Sequence, residues 1–151
     1  MNKLFKAICI GSLLAMSAAH ADVGREEELD AAVRQFAAKL ESDWQQCLNG
    51  SDTVKKWGSD RCAYLMLQTA KDAVTQKYQQ KVATTQGYAD ENWLPKDVPA
   101  MLPKAQEAWE QYVNKDCGVV AAQTTGTART TYQLVCEYKH QIQRLHALDQ
   151  W

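Results

Sequence analysis

Apolar positions return every three or four residues along most of this chain, and the strict alternation of a strand is nearly absent. From Arg25 to Gly50, the stripe Leu29, Val33, Phe36, Leu40, Trp44 and Cys47 predicts one amphipathic helix, with Gly50 as its stop. Glu26, Glu27, Glu28 and Asp30 crowd its first turns, where the helix dipole favours negative charge. A second helix is expected from about Asp60 to Ala83, with Ser59 as N-cap and Gly87 ending the pattern. Cys62, Leu65, Met66, Thr69, Ala73 and Val74 form its inner face, which Tyr78 and Val82 continue. "GYADENWLPKDVPAMLP" has three prolines and no period, so it reads as a loop, with Trp93 and Leu94 folded back onto the core.

Leu102 to Cys117, "LPKAQEAWEQYVNKDC", reads as a third helix that ends on a cysteine, with Pro103 in its first turn. Ala105, Trp109, Tyr112, Val113, Asp116 and Val120 lie along one side, and "AQTTGTARTT" breaks the pattern at Gly126. The last helix, "YQLVCEYKHQIQRLHAL", turns Leu134, Val135, Tyr138, Ile142, Leu145 and Leu148 inward. The predicted fold class is all-α: a small bundle of about four amphipathic helices packed as helical hairpins.

The N-terminus adds a compartment. Lys3 and Lys6 precede an apolar run from Ala7 to Met16, and Ala19-His20-Ala21 supplies small residues for cleavage. This is the form of a secretory signal peptide over residues 1–21, leaving a single domain over 22–151 in the periplasm or outside the cell. Cys9 lies within the apolar run, not at its end, so it does not mark a lipoprotein. No later segment approaches the ~20 apolar residues of a membrane helix, so no anchor is expected after cleavage. The whole chain carries a net charge of −1, from 17 basic and 18 acidic residues. Loss of Lys3 and Lys6 with the leader makes this −3. A mildly acidic domain lacks the basic footprint of a nucleic-acid binder.

Four cysteines remain after Ala21: Cys47, Cys62, Cys117 and Cys136. An even number in an exported chain predicts two disulfides, with three possible connectivities. Cys47–Cys62 and Cys117–Cys136 are favoured, because each pair sits at neighbouring ends of consecutive helices. Neither a C-x-x-C redox motif nor a short-spaced zinc pair is present.

Candidate chemistry is sparse. His140 and His146 are six apart and do not share a helix face as metal ligands would. Cys136 and His140 share a face, as a nucleophile and its base would, but Cys136 has a disulfide to form. Glu107 and Glu110 are spaced for an acid–base pair on the third helix, with nothing to suggest a pocket around them. Gly126 stands alone, so there is no phosphate loop. The expectation is a binding protein and not an enzyme, without cofactor or metal.

These residues also carry a resemblance. The order Cys47, Cys62, "VTQKY", "AQEAWEQYVNKDC", "TGT" and "CEYKHQIQRLHAL" resembles the lysozyme-inhibitor LprI-like family of exported bacterial proteins, over about Cys47 to Leu148. Gln106, Trp109, Tyr112 and Cys117 match its third-helix motif. Gly126 and Thr127 match its loop, and Cys136, Arg144 and Leu148 its ending. Val74 and Tyr78 match a Leu-Asn-x-x-Tyr box in which Thr75 replaces Asn. Val113 and Asn114 replace an Arg-Asp pair, and Gln141 stands where Thr is usual. Read as structural residues, Trp109 belongs to the core and Arg144 to an ion pair.

The resemblance implies inhibition of a lysozyme or other cell-wall hydrolase. The cleft of such an enzyme holds two carboxylates, so a basic or hydroxyl-rich loop is the sensible plug. Two loops qualify: Lys55, Lys56 and Trp57 between Cys47 and Cys62, and Thr125, Thr127 and Arg129 between Cys117 and Cys136. The rival expectation is an envelope adaptor with a different partner. The oligomeric state is left open.

Overall fold

The computed structural model describes residues 15–50, 54, 58–126 and 128–151, with side chains from Asp30 onward. Its elements are α1 (Ala15–Asn49), α2 (Ser59–Asp90), α3 (Val98–Gln123) and α4 (Ala128–Asp149). The protein is all-α, and two disulfides staple it, Cys47–Cys62 and Cys117–Cys136, with Cα–Cα distances of 5.7 and 5.6 Å.

α2 and α4 form the central pair. They run parallel, since Asp60 near the start of α2 meets Thr131 near the start of α4, and Lys71 meets Glu137. α1 packs on both from one side and α3 on both from the other, so that among the described residues α1 and α3 do not touch. The apolar core lies on the α1 side. Leu40, Met66, Leu67, Ala70 and Tyr138 form one buried cluster, with Phe36 and Trp44 against it. Val74, Leu145 and Leu148 form a second, with Val33 against it. α3 buries only Val113, Cys117 and Ala121. Its seam with α2 and α4 is correspondingly polar.

Several sequence expectations need correction. α2 does not stop at Gly87, whose Cα faces open space. A helical glycine on the solvent side costs only about 1 kcal/mol, and continuing the helix buries Ala89. The true stop is Asn92, which takes a left-handed φ of 64° and lets the Trp93 N–H bond the Tyr88 carbonyl at 2.8 Å. Ser59 opens α2 without capping it; Gly58, at φ 80°, holds the cap position. The inner face of α2 also differs. Leu65 is 44% exposed and Thr69 is exposed, while Ala63, Leu67 and Ala70 are buried, because α2 is packed from both sides.

The proline-rich loop is shorter than expected. α3 begins at Val98, with Pro99 in the first turn and Pro103 inside the helix. Proline is tolerated at a helix start because the first N–H groups lack partners anyway. α3 also runs six residues beyond Cys117, to Gln123. The disulfide therefore joins two helix flanks, not a helix end. Trp93 does not reach the core: it is 75% exposed and stacks on Tyr88 with ring centroids 6.0 Å apart.

Candidate functional site

The two loops proposed from sequence spring from the same end of the bundle. The end of α1, the start of α2 and the α3–α4 turn are gathered there by Cys47–Cys62 and by the Thr131 hydroxyl, which donates to Asp60. Gly126 makes the turn at φ 75°, and its carbonyl accepts from the Arg129 N–H at 3.4 Å. Thr125 and Arg129 are both exposed. Lys55, Lys56, Trp57 and Thr127 lie outside the described residues. The same end displays Tyr64 and Tyr132, both exposed, with the Arg61 guanidinium 5.1 Å from the Tyr64 ring centre. Sequence reasoning passed over these tyrosines; the available signal was that neither falls on an apolar stripe.

The third-helix motif residues gather elsewhere, where α3 crosses α4. Arg144 is only 7% exposed. Its Nε and Nη2 both donate to Gln106 Oε1, at 3.1 and 2.9 Å, and Gln106 Nε2 donates onward to Glu110 Oε1 at 2.9 Å. The guanidinium lies 5.2 Å from the Trp109 ring centre and 4.3 Å from that of Trp151. Arg144 is thus held by an amide and two indoles, instead of the ion pair expected. Burial lowers its pKa from the ordinary arginine value, against the opposing influence of Tyr78 and Glu110. Trp109 is half-buried at this crossing, not a member of the apolar core. Tyr112 is exposed and meets His140 edge-on, 5.4 Å between centroids. Gly126, at the bundle end, is not part of this group.

Neither acid–base arrangement considered from sequence is assembled. Cys136 is bonded to Cys117, and His140 Nε2 instead meets Asp116 Oδ2 at 2.8 Å. Glu107 accepts from Gln111 at 3.3 Å, while Glu110 accepts from Gln106, so the two carboxylates take separate partners. Asp116, Cys117, Cys136 and His140 do bring four ligand-type atoms within 4.8 Å of one another. Both sulfurs are spent in the disulfide, so neither is a thiolate able to bind metal.

Beside the Arg144 cluster, α2, α3 and α4 enclose a groove of about 390 Å³. Val74, Trp109 and Val113 give it an apolar strip; Thr75, Glu110, Asn114 and Gln141 add polar groups, and the Lys71–Glu137 ion pair (3.0 Å) spans it. Gln141 is 5% exposed. All four positions where the chain departs from the pattern it resembles, Thr75, Val113, Asn114 and Gln141, line this groove.

Comparison with known proteins gives one match. The sequence model of a family described as "Lysozyme inhibitor LprI" matches residues 47–148. No curated protein and no solved structure matches the chain.

Proposed function

The chain belongs to the lysozyme inhibitor LprI family, and from that membership we propose that it is an exported, non-enzymatic protein that binds and inhibits a lysozyme-type peptidoglycan hydrolase. The observation carrying this reading is the family match itself, which begins at Cys47 and takes in both disulfides. Export follows from the leader-like residues 1–21, with the mature domain beginning at Asp22. No helix among the described residues is long and apolar enough to cross a membrane.

The bundle end is the surface we assign to the hydrolase. A lysozyme-type cleft presents two carboxylates. Arg129 and Thr125 are exposed beside the Gly126 turn, and the sequence places Lys55, Lys56 and Trp57 in the link between α1 and α2. Cys47–Cys62 ties the end of α1 to the start of α2, and Cys117–Cys136 ties the flanks of α3 and α4, so the elements on either side of these loops are fixed before binding, which lowers the entropic cost of association.

The test uses the purified, oxidised mature protein, titrated against c-type, g-type and bacterial muramidases while cell-wall lysis and binding are followed together. Stoichiometric inhibition of one class is expected. Absence of binding to all of them would refute the proposal. The adaptor alternative predicts that outcome, together with capture of an envelope complex lacking any muramidase.

A further inference from the structure

We propose that the place Trp151 occupies against Arg144 and Lys81 is a binding site for an aromatic carboxylate, for which Trp151 is a displaceable stand-in. A buried charge is ordinarily paired with an opposite one, because taking an unpaired charge out of water is costly. Arg144 is 7% exposed, yet no carboxylate among the described residues forms an ion pair with it. Glu110 acts on it only from a distance, with the Gln106 amide between them. The guanidinium therefore lacks a direct counter-charge, which an anionic ligand would supply.

Trp151 itself shows what fits. Its ring centre lies 4.3 Å from the Arg144 guanidinium, and its carbonyl oxygen accepts from Lys81 Nζ at 3.0 Å. One residue thus sets an aromatic face on one cation and an oxygen on another. A ligand with both features can replace it, and does better if the oxygen belongs to a carboxylate, which forms charge-assisted bonds where the carbonyl forms a neutral one. Glu110 nearby and the negative domain favour a single charge over the double charge of a phosphate. Trp151 can leave without opening the core. It stands two residues past the end of α4, is 45% exposed and belongs to neither buried cluster. The end of α4 is tied down separately, by the ion pair of Asp149 with Lys77. Trp109, 5.2 Å from the guanidinium, and Gln106 stay behind to hold Arg144 in place.

The site does not depend on hydrolase inhibition, which we place at the other end of α4 and which is measured in a separate assay. The experiment titrates N-acetyltryptophan, with uncharged N-acetyltryptophanamide as control, into the ¹⁵N-labelled mature protein and its Trp151→Ala variant. Saturable shifts of the Arg144 Nε–H and the Trp109 indole N–H are expected in the variant. Binding there should be about ten-fold tighter than in wild type, where the tethered Trp151 leaves only a fraction of sites open. The amide should bind about ten-fold more weakly than the acid, and adding Lys81→Met should narrow that gap. Inorganic phosphate that bound as tightly as N-acetyltryptophan would overturn the aromatic assignment. A Trp151 that serves packing alone would lower the melting temperature when replaced and admit neither probe. No saturation at millimolar N-acetyltryptophan, or equal responses to acid and amide, would overturn the proposal. Wild type decides the matter even if Trp151→Ala fails to fold, since the acid alone should then shift the Trp151 indole N–H as that ring is displaced.

Discussion

Tyr138 carries a hydroxyl into the apolar core, where it shares one proton between the Ala37 carbonyl at 3.2 Å and Glu41 Oε1 at 3.3 Å. Burial first, then the charge and hydrogen bond of Glu41, raise its pKa well above the ordinary tyrosine value of 10.0. The sign of the linkage follows. Below pH ~10 the phenol is protonated in both folded and unfolded chains; above it only the unfolded chain ionises, so the Tyr138 contribution is lost as pH rises. Tyr138→Phe should cost about 1 kcal/mol near neutrality. The difference from wild type should shrink above pH ~10 in guanidinium unfolding curves, and a difference that stayed constant to pH ~11 would contradict this assignment. Periodicity alone put Tyr138 in the core. It gave no such place to Gln141 or Arg144, because a hydrophobic pattern discards polar residues. The clue was positional: Gln141 lies three after Tyr138 and four before Leu145, on the same stripe. Burial of the Arg144 guanidinium there depends on Gln106 and Trp109 from α3 and on Trp151, two residues past the end of α4.

The four helices were legible because each carries an apolar stripe, but their ends were set by local backbone chemistry. Gly87 looks like a stop and is not; Asn92 is one because it accepts a left-handed φ. The helices also differ in what holds them. α1, α2 and α4 share both apolar clusters, whereas α3 buries three residues and adjoins a polar groove. Each disulfide closes a loop of 15 or 19 residues, worth roughly 3 kcal/mol in the chain-entropy model. Equal loop entropies should therefore have unequal structural effects. Replacing Cys117 and Cys136 by serine should strip amide-exchange protection from α3 while α2 and α4 retain theirs. Replacing Cys47 and Cys62 should loosen the end of α1 and leave α3 protected. Loss of protection in every helix, in either variant, would show that the bundle opens only as a unit.

At the scale of the molecule, the fold class, both disulfides and the family were all readable from residue order, whereas the parallel central pair α2 and α4 was not. Helical hairpins joined in sequence do not reveal which helices end up at the centre; contacts such as Asp60 with Thr131 decide that. That arrangement carries the two candidate loops to one end, which matters for charge. The whole chain is net −1 and residues 22–151 alone −3, so the average field of the protein repels an acidic cleft. On the proposed reading attraction is local, from Arg129, Lys55 and Lys56. Local attraction between exposed charges acts within a Debye length of about 10 Å at 0.1 M salt and shortens as salt is added. The association rate with a susceptible muramidase should therefore fall as ionic strength rises. The double variant Lys56→Ala with Arg129→Ala should bind about ten-fold more slowly at low salt and show a flatter salt dependence. A double variant that inhibits as well as wild type, with the same slope, would remove this end of the bundle as the plug. The groove beside Gln141 would then be the next surface to test against the enzyme.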